Sequence, residues 1–473
     1  MRVILAFFVN TLCNFAIGLL VAKFLGPGEF GRFALAMAIG FVLQTGIFDW
    51  IRLSSIRFYS ERSRLEQPGL RATLDLTFGL IAIAVATTAV GLMVAGVDFS
   101  LSSALVGLAA ALSIANGLFD YQIALVRARF HDQLYGRLIL SKNLLALIVT
   151  AGGAWAFGSA QVALIGVCVS MMGSIFAARE SLHDDGASLR AARASIAAQC
   201  LRYALPIVAA NILYNIIPLA NRALVARWEG FSETGQFSLS YDLGTRVIAA
   251  IGTALDVLLF QIAVRADEAH GAEEGQAQVA RNMGLVFAIM LPTCAGVWLT
   301  LPSIERLVVP LEYRGPFEYY FSLLLPGFFA FGMINFAVNP VFQITKRTRP
   351  MIAAASVALA ADGLLILALP RDATHLAIAQ SAALAIGLAA LLVFAKLSGA
   401  RWPRAGDIAW SCAGVATMVF ALLPLRASEP GVVTLLAETL AGLAIYGVFV
   451  ALFDIAGLRR VLLDAVRAAR ARA

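Results

Sequence analysis

The sequence predicts an all-α polytopic membrane protein of about fourteen spanning helices. Two parallel six-helix repeats surround a central cavity, and two further helices follow. Three observations carry this reading. The chain is 60% hydrophobic and only 14% charged, with a mean hydropathy of +0.83, whereas soluble domains carry about 25% charged residues. Its apolar runs last about 18–25 residues, the length a helix needs to cross a bilayer, while barrel strands are about half as long and alternate. A turn motif near the start recurs 204 residues later at the same place in the helix order.

The expected spans of the first half lie near 3–22, 33–55, 73–95, 103–126, 139–157 and 161–178. The first begins almost at Met1 and looks like a signal sequence, yet no clear A-x-A site follows. It reads as an uncleaved helix. The second half supplies spans near 203–226, 236–262, 283–301, 319–344, 351–369 and 376–395, and the last two lie near 408–425 and 432–453. The expected organisation is therefore an N-terminal lobe (1–178), an Ala- and Arg-rich cytoplasmic linker helix (179–202) and a C-terminal lobe (203–396). Two additional helices (397–453) and a basic amphipathic tail (454–473) suited to anionic headgroups complete it.

Basic residues set the orientation. With the N-terminus, every second loop and the tail on one side, that side holds 27 of the 36 Lys and Arg. Lys142 is counted there with the loop before the fifth span. The positive-inside rule places this side, and both chain ends, in the cytoplasm. The net charge of +7 follows from the asymmetry, and no basic domain exists to bind nucleic acid. Cys13, Cys168, Cys200, Cys294 and Cys412 are scattered, as are the four histidines. Neither a metal-ligand spacing nor a phosphate loop or nucleophile elbow appears, so neither cofactor nor catalytic residue is expected. Every loop is short, which argues against an enzyme of the membrane surface.

The repeated turn reads G-x-x-E-x-G-x-F-x-L. Gly26, Glu29 and Gly31 stand in the first copy and Gly230, Glu233 and Gly235 in the second. Upstream, Asn10 and Asn14 answer Asn211 and Asn215. Six helices per half is an even number, so the halves share one membrane orientation and are related by an axis along the membrane normal.

Charges within lipid are costly and face a bundle interior or an aqueous cavity. Asn211, Asn215, Pro218 and Arg222 form one stripe of the seventh span. Asp242, Arg246 and Asp256 share a face of the eighth, Asp49 and Arg52 lie in the second, Asn116 and Asp120 in the fourth, and Asp362 in the eleventh. Asp49–Arg52 and Asp242–Arg246 are spaced to neutralise each other, and the asparagines to bridge helices. Arg222 has no acid on its stripe and needs an acidic partner from another helix or an anionic ligand. Prolines 218, 292, 326 and 340 permit bends within spans.

The stretch Ala22-Lys23-Phe24-Leu25-Gly26-Pro27-Gly28-Glu29-Phe30-Gly31-Arg32-Phe33 resembles the first hairpin of bacterial polysaccharide transporters. These are the O-antigen and exopolysaccharide flippases of the multidrug/oligosaccharidyl-lipid/polysaccharide (MOP) superfamily. Pro206 with the second E-x-G-x-F turn, and Asn339-Pro340 through Arg349-Pro350, resemble later parts of the pattern. The resemblance implies a MATE-like fold in the bacterial inner membrane. It also implies flipping of an undecaprenyl-diphosphate-linked oligosaccharide by alternating access, beside a polysaccharide polymerase and glycosyltransferases. Arg222 and Arg246 would be the central anion site, with Arg52 and the four asparagines as further substrate contacts. Members of that family commonly carry an acid after the proline of the seventh span, where this chain has Asn221-Arg222. Export of organic cations by a related antiporter would favour an acidic cavity. A membrane-embedded glycosyltransferase or polymerase would need a large catalytic loop.

Overall fold

A computed structural model describes residues 2–60, 66–95, 101–183, 189–345 and 347–459, the side chains of 2–9, 68, 189, 256–258 and 272 excepted. The basic tail beyond Arg459 and the side chain of Asp256 lie outside that set. The described residues form a multi-pass helical membrane protein with 13 helices long and apolar enough to cross a membrane. The first of these, α1 (Arg2–Ile47), is broken at Gly26, whose φ of 68° and ψ of 170° leave the helical region. Its two legs, the second continued by α2 (Asp49–Phe58), account for the first two expected spans. Pro27 restarts the helix directly after the break, where its missing N–H costs nothing.

The remaining helices follow the expected order. They are α3 (Pro68–Val94), α4 (Ser103–Ala128), α5 (Asp132–Phe157), α6 (Ala160–Ala177), α7 (Ala194–Trp228) and α8 (Phe231–His270). Then come α9 (Ala272–Val308), α10 (Pro316–Ile344), α11 (Arg349–Ala368), α12 (Ala373–Leu397), α13 (Ala405–Arg426) and α14 (Val432–Phe453). Several run past their apolar stretch. At 40 residues, α8 is about 60 Å long, twice the hydrocarbon thickness. The expected linker helix differs most from expectation. Among the described residues a short helix, Arg179–Leu182, and a 3-10 turn, Leu189–Ala191, stand there, and residues from Ala194 onward belong to α7. The Ala-rich sequence continues the α7 helix because nothing before Pro206 interrupts it.

Packing divides the chain into one unit of Met1–Leu239 with Arg371–Leu376 and another of Ser240–Pro370 with Ala377–Ala473. This boundary falls inside α8, whereas the repeat would divide the chain at the linker. In the first unit α4 is the central post. Gly117 lies under the Phe48 ring, and Phe78 stacks between Phe48 and Tyr121 at 4.8 and 5.9 Å. In the second unit Gly244 and Gly252 of α8, two turns apart, sit directly beneath Phe328 and Phe336 of α10. Close approach over small residues replaces the hydrophobic drive that lipid cannot supply. π-turns interrupt α5 at Ala146–Ala151 and α10 at Ile334–Val338, the latter immediately before Asn339-Pro340.

The two copies of the repeated turn meet inside the first unit. Gly26 and Gly230 both hold positive φ, 68° and 89°, at matching places in the motif. Five residues on, Gly31 and Gly235 face each other. A β-carbon on Gly31 would land on the Phe231 carbonyl oxygen, and one on Gly235 would land on the Pro27 carbonyl oxygen. The contact is reciprocal. Arg32 lies 5.1 Å over the Phe231 ring and pairs with Glu29.

Each half also caps a later helix from this point. Glu29 Oε2 accepts the Ala160 amide at 2.9 Å, at the start of α6, and Glu229 Oε1 accepts the Ala373 amide at 2.8 Å, at the start of α12. In the second half the capping carboxylate stands four residues ahead of the motif's Glu233. A carboxylate on an orphan N-terminal amide stabilises by about 1 kcal/mol. Glu29→Ala and Glu229→Ala are each expected to lower the thermal midpoint of the solubilised protein, and an unchanged midpoint in both would contradict the capping assignment.

Candidate functional site

The first unit gathers four charged side chains from three spanning helices. Asp49 and Arg52 lie one turn apart on α2, and the guanidinium grips the carboxylate twice, Nε to Oδ1 at 2.9 Å and Nη2 to Oδ2 at 3.0 Å. Gln44, at the end of the second leg of α1, donates through Nε2 to Asp49 Oδ1 at 3.2 Å and to Asp120 Oδ2 at 3.0 Å. Its Oε1 accepts from Asn116 Nδ2 at 2.9 Å, one turn before Asp120 on α4. One amide thus bridges two carboxylates and one carboxamide inside a spanning bundle. Asp120 also lies within electrostatic range of Arg52 and Lys142.

Lys142 begins the second part of the tract. Its Nζ donates to Asn14 Oδ1 at 3.2 Å and stands 5.9 Å from the Phe119 ring. Asn14 and Asn143 both donate to Asn10 Oδ1, at 2.9 and 3.0 Å. Asn10 and Asn14, on the first leg of α1, are thus brought to the same tract as Asp49, Arg52 and Asp120.

The tract combines two cations and two carboxylates. Asp49 is buried, with 8% of its side chain exposed, while 31% of Arg52 is exposed. Asp49 occupies the Nε–Nη2 edge of the guanidinium. A guanidinium carries five N–H donors in a planar fork, so among the described residues the other edge remains for a ligand. The arrangement can receive an anion beside Arg52 without first evicting Asp49.

Of the other residues expected at the site, Arg222, Asn211 and Asn215 lie in the first unit and Asp242, Arg246 and Asp362 in the second. Arg222, on α7 of the first unit, is 4% exposed, and its Nη1 approaches the Ala34 carbonyl at 3.4 Å. That contact lies three residues beyond Gly31 of the glycine crossing. Asn211 and Asn215 are half-buried on α7. Asp242 and Arg246 are half-buried, and Asp362 is 1% exposed, all three in the second unit. Lys142, Gln44 and Asn143 went unread as site residues. Lys142 lies ten residues inside α5, about 15 Å along its axis. The polar start Asp132–Arg137 hides that depth, because it ends the apolar run although the helix has already begun.

Fold comparison sets this tract in context. The chain aligns over 95% of its length with 98% of a solved structure of the lipid II flippase MurJ in an inward closed conformation, with a TM-score of 0.73 and 15% identity. It aligns over 89% of its length with 96% of an inward-facing multidrug resistance MATE family transporter of the MOP superfamily, with a TM-score of 0.54 and 14% identity. The fold is that of MurJ and the MATE transporters. A MATE structure in complex with MaD3S gives a TM-score of 0.53 at 15% identity, over 90% of this chain and 95% of that one. No sequence-family model matches the chain, and no curated protein matches it significantly.

Proposed function

We propose that the protein is a flippase that carries an undecaprenyl-diphosphate-linked oligosaccharide from the cytoplasmic to the periplasmic leaflet of a bacterial inner membrane. Both chain ends are cytoplasmic in this reading, which the one-sided distribution of Lys and Arg over the loops and tail supports. Polysaccharide polymerase and glycosyltransferases would act on either side of the step. The observation that carries the proposal is the half-exposed guanidinium of Arg52, with one edge locked by Asp49 and Lys142 nearby across Asp120.

A diphosphate offers several charged oxygens, so it can bind the outer edge of Arg52 by charge-assisted bonds. Lys142 can hold the same headgroup as a mobile point charge, and a phosphate is a stronger acceptor than the neutral amide of Asn14 that it meets here. The carboxamides of Asn10, Asn14, Asn116 and Asn143 suit sugar hydroxyls. Asp49 and Asp120 keep the empty tract neutral, which limits the cost of holding cations in lipid. Full-length similarity in fold to a lipid flippase supports the same substrate class.

The test is reconstitution of the purified protein in liposomes that carry a fluorescent undecaprenyl-diphosphate disaccharide. Loss of inner-leaflet fluorescence to a membrane-impermeant quencher is expected to require the protein. Absence of that loss, with gradient-driven efflux of an organic cation from the same liposomes, would replace the flippase by a cation antiporter.

A further inference from the structure

A cavity lies within the second unit. It is a groove of about 730 Å³ between α9, α13 and α14, and its walls are almost wholly apolar. Two of its glycines face open space: a β-carbon added to Gly296 of α9 or Gly447 of α14 would meet no atom within 4 Å. The groove therefore has room along much of α14 and reaches Leu458 beyond its end.

One acid, Glu438, lines this groove, and one cation, Arg459, lines its far end, 3.9 Å from Asp454 and donating to the Ala451 carbonyl at 3.1 Å. Glu438 lies six residues inside α14, about 9 Å along the axis from its first turn and so within the hydrocarbon. The residue is 2% exposed, and its Oε2 is buried with no hydrogen-bond partner. Arg426, at the end of α13, lies within electrostatic range of it. Arg426 is already engaged. Its Nη2 lies 2.6 Å from Glu318 Oε1, its Nη1 donates to the Trp298 carbonyl, and its guanidinium stacks 4.1 Å over the Trp298 ring. Glu305, whose Oε1 accepts the Gly315 and Glu318 amides at 2.8 and 3.0 Å, adds a further negative charge. Arg306 is turned away onto the Pro430 carbonyl at 2.8 Å.

Arg426 and Glu318 form a closed pair, so the surplus charge falls on the acid that faces the groove. A buried carboxylate without a partner is costly in an apolar setting, and a ligand that brings a positive charge removes that cost. A phosphate beside Glu438 would add repulsion instead, and an uncharged chain would leave Glu438 as it stands.

We propose that the groove binds a lipophilic amine, with its ammonium group paired to Glu438 and its chain lying along α14 toward Leu458. This site shares no residue with the Arg52 tract and takes a ligand of the opposite charge. It stands whether or not the protein flips a diphosphate lipid.

The test uses the full-length protein in an uncharged maltoside detergent and two fluorescent probes of equal length, 11-(dansylamino)undecylamine and 11-(dansylamino)undecanol. The amine is expected to bind the unmodified protein at least about tenfold more tightly than the alcohol, as one charge-assisted bond in an apolar site allows. Glu438→Gln should abolish that preference while alcohol binding is unchanged. Gly447→Leu, which fills open space, should weaken both probes without lowering the thermal midpoint. Equal affinity of the two probes for the unmodified protein would overturn the proposal and leave a groove for uncharged chains, whatever the variants do. So would an amine preference that survives in Glu438→Gln.

Discussion

Gly31→Val is expected to remove most of the folded protein from the membrane. The new β-carbon would fall on the Phe231 carbonyl oxygen and 2.9 Å from the Gly235 amide nitrogen. Both neighbours are backbone, so no side chain can rotate aside, and a β-branched residue adds a stiff second methyl. Overpacking in a well-packed core costs about 1–3 kcal/mol even where side chains can shift. Here the helices carrying the two turns must move apart. Gly235→Val should fail equally, because its β-carbon meets the Pro27 carbonyl. Gly28→Ala is the control, since nothing lies within 4 Å of a β-carbon there. The measurement is the yield of monodisperse protein after mild solubilisation. Wild-type yield for Gly31→Val would contradict the reciprocal contact.

Loss of transport without loss of protein is expected when Arg52 and Asp49 are removed together. Arg52→Ala alone leaves Asp49 buried beside Gln44, with Asp120 on the same amide. An uncompensated charge in that setting destabilises the fold, so the single variant mixes two effects. Arg52→Ala/Asp49→Asn deletes the pair as a unit and should restore insertion, yet it removes the guanidinium edge offered to the substrate. Flipping is expected to fall by about tenfold or more, the scale of one bidentate charge-assisted contact. Arg52→Lys keeps the charge but not the planar fork and should fall between the two. Normal flipping by the double variant would reduce Asp49–Arg52 to an internal ion pair.

Much of the fold was legible in the sequence because lipid imposes such strong rules. Apolar length and the one-sided placement of Lys and Arg identify spanning helices without any knowledge of packing. The ends of α5, α7, α8 and α9 were not legible, since a helix that leaves the bilayer loses its apolar signal while keeping its hydrogen bonds. Lys142 was misread for that reason. The repeat at Gly31 and Gly235 could be read as a duplication, but not as a contact, because sequence periodicity gives topology and not which turns touch. Arg222 and Arg246 looked like partners across a short turn. The burial of Arg222 beside the Ala34 carbonyl is a packing detail that no helical stripe reveals. Gln44 carries no charge and marks no motif, so its bridging role between Asp49 and Asp120 emerges only when α1, α2 and α4 are assembled.

The central claim is that the tract of Arg52, Lys142 and their carboxamide neighbours holds the diphosphate of the substrate. Equilibrium binding of undecaprenyl diphosphate to the solubilised protein tests it most directly, with Arg52→Ala/Asp49→Asn and Lys142→Met as variants. The expected result is weaker binding in each variant, by about tenfold for the loss of the guanidinium, with protein yield and thermal midpoint held. Unchanged affinity in both variants would contradict the account.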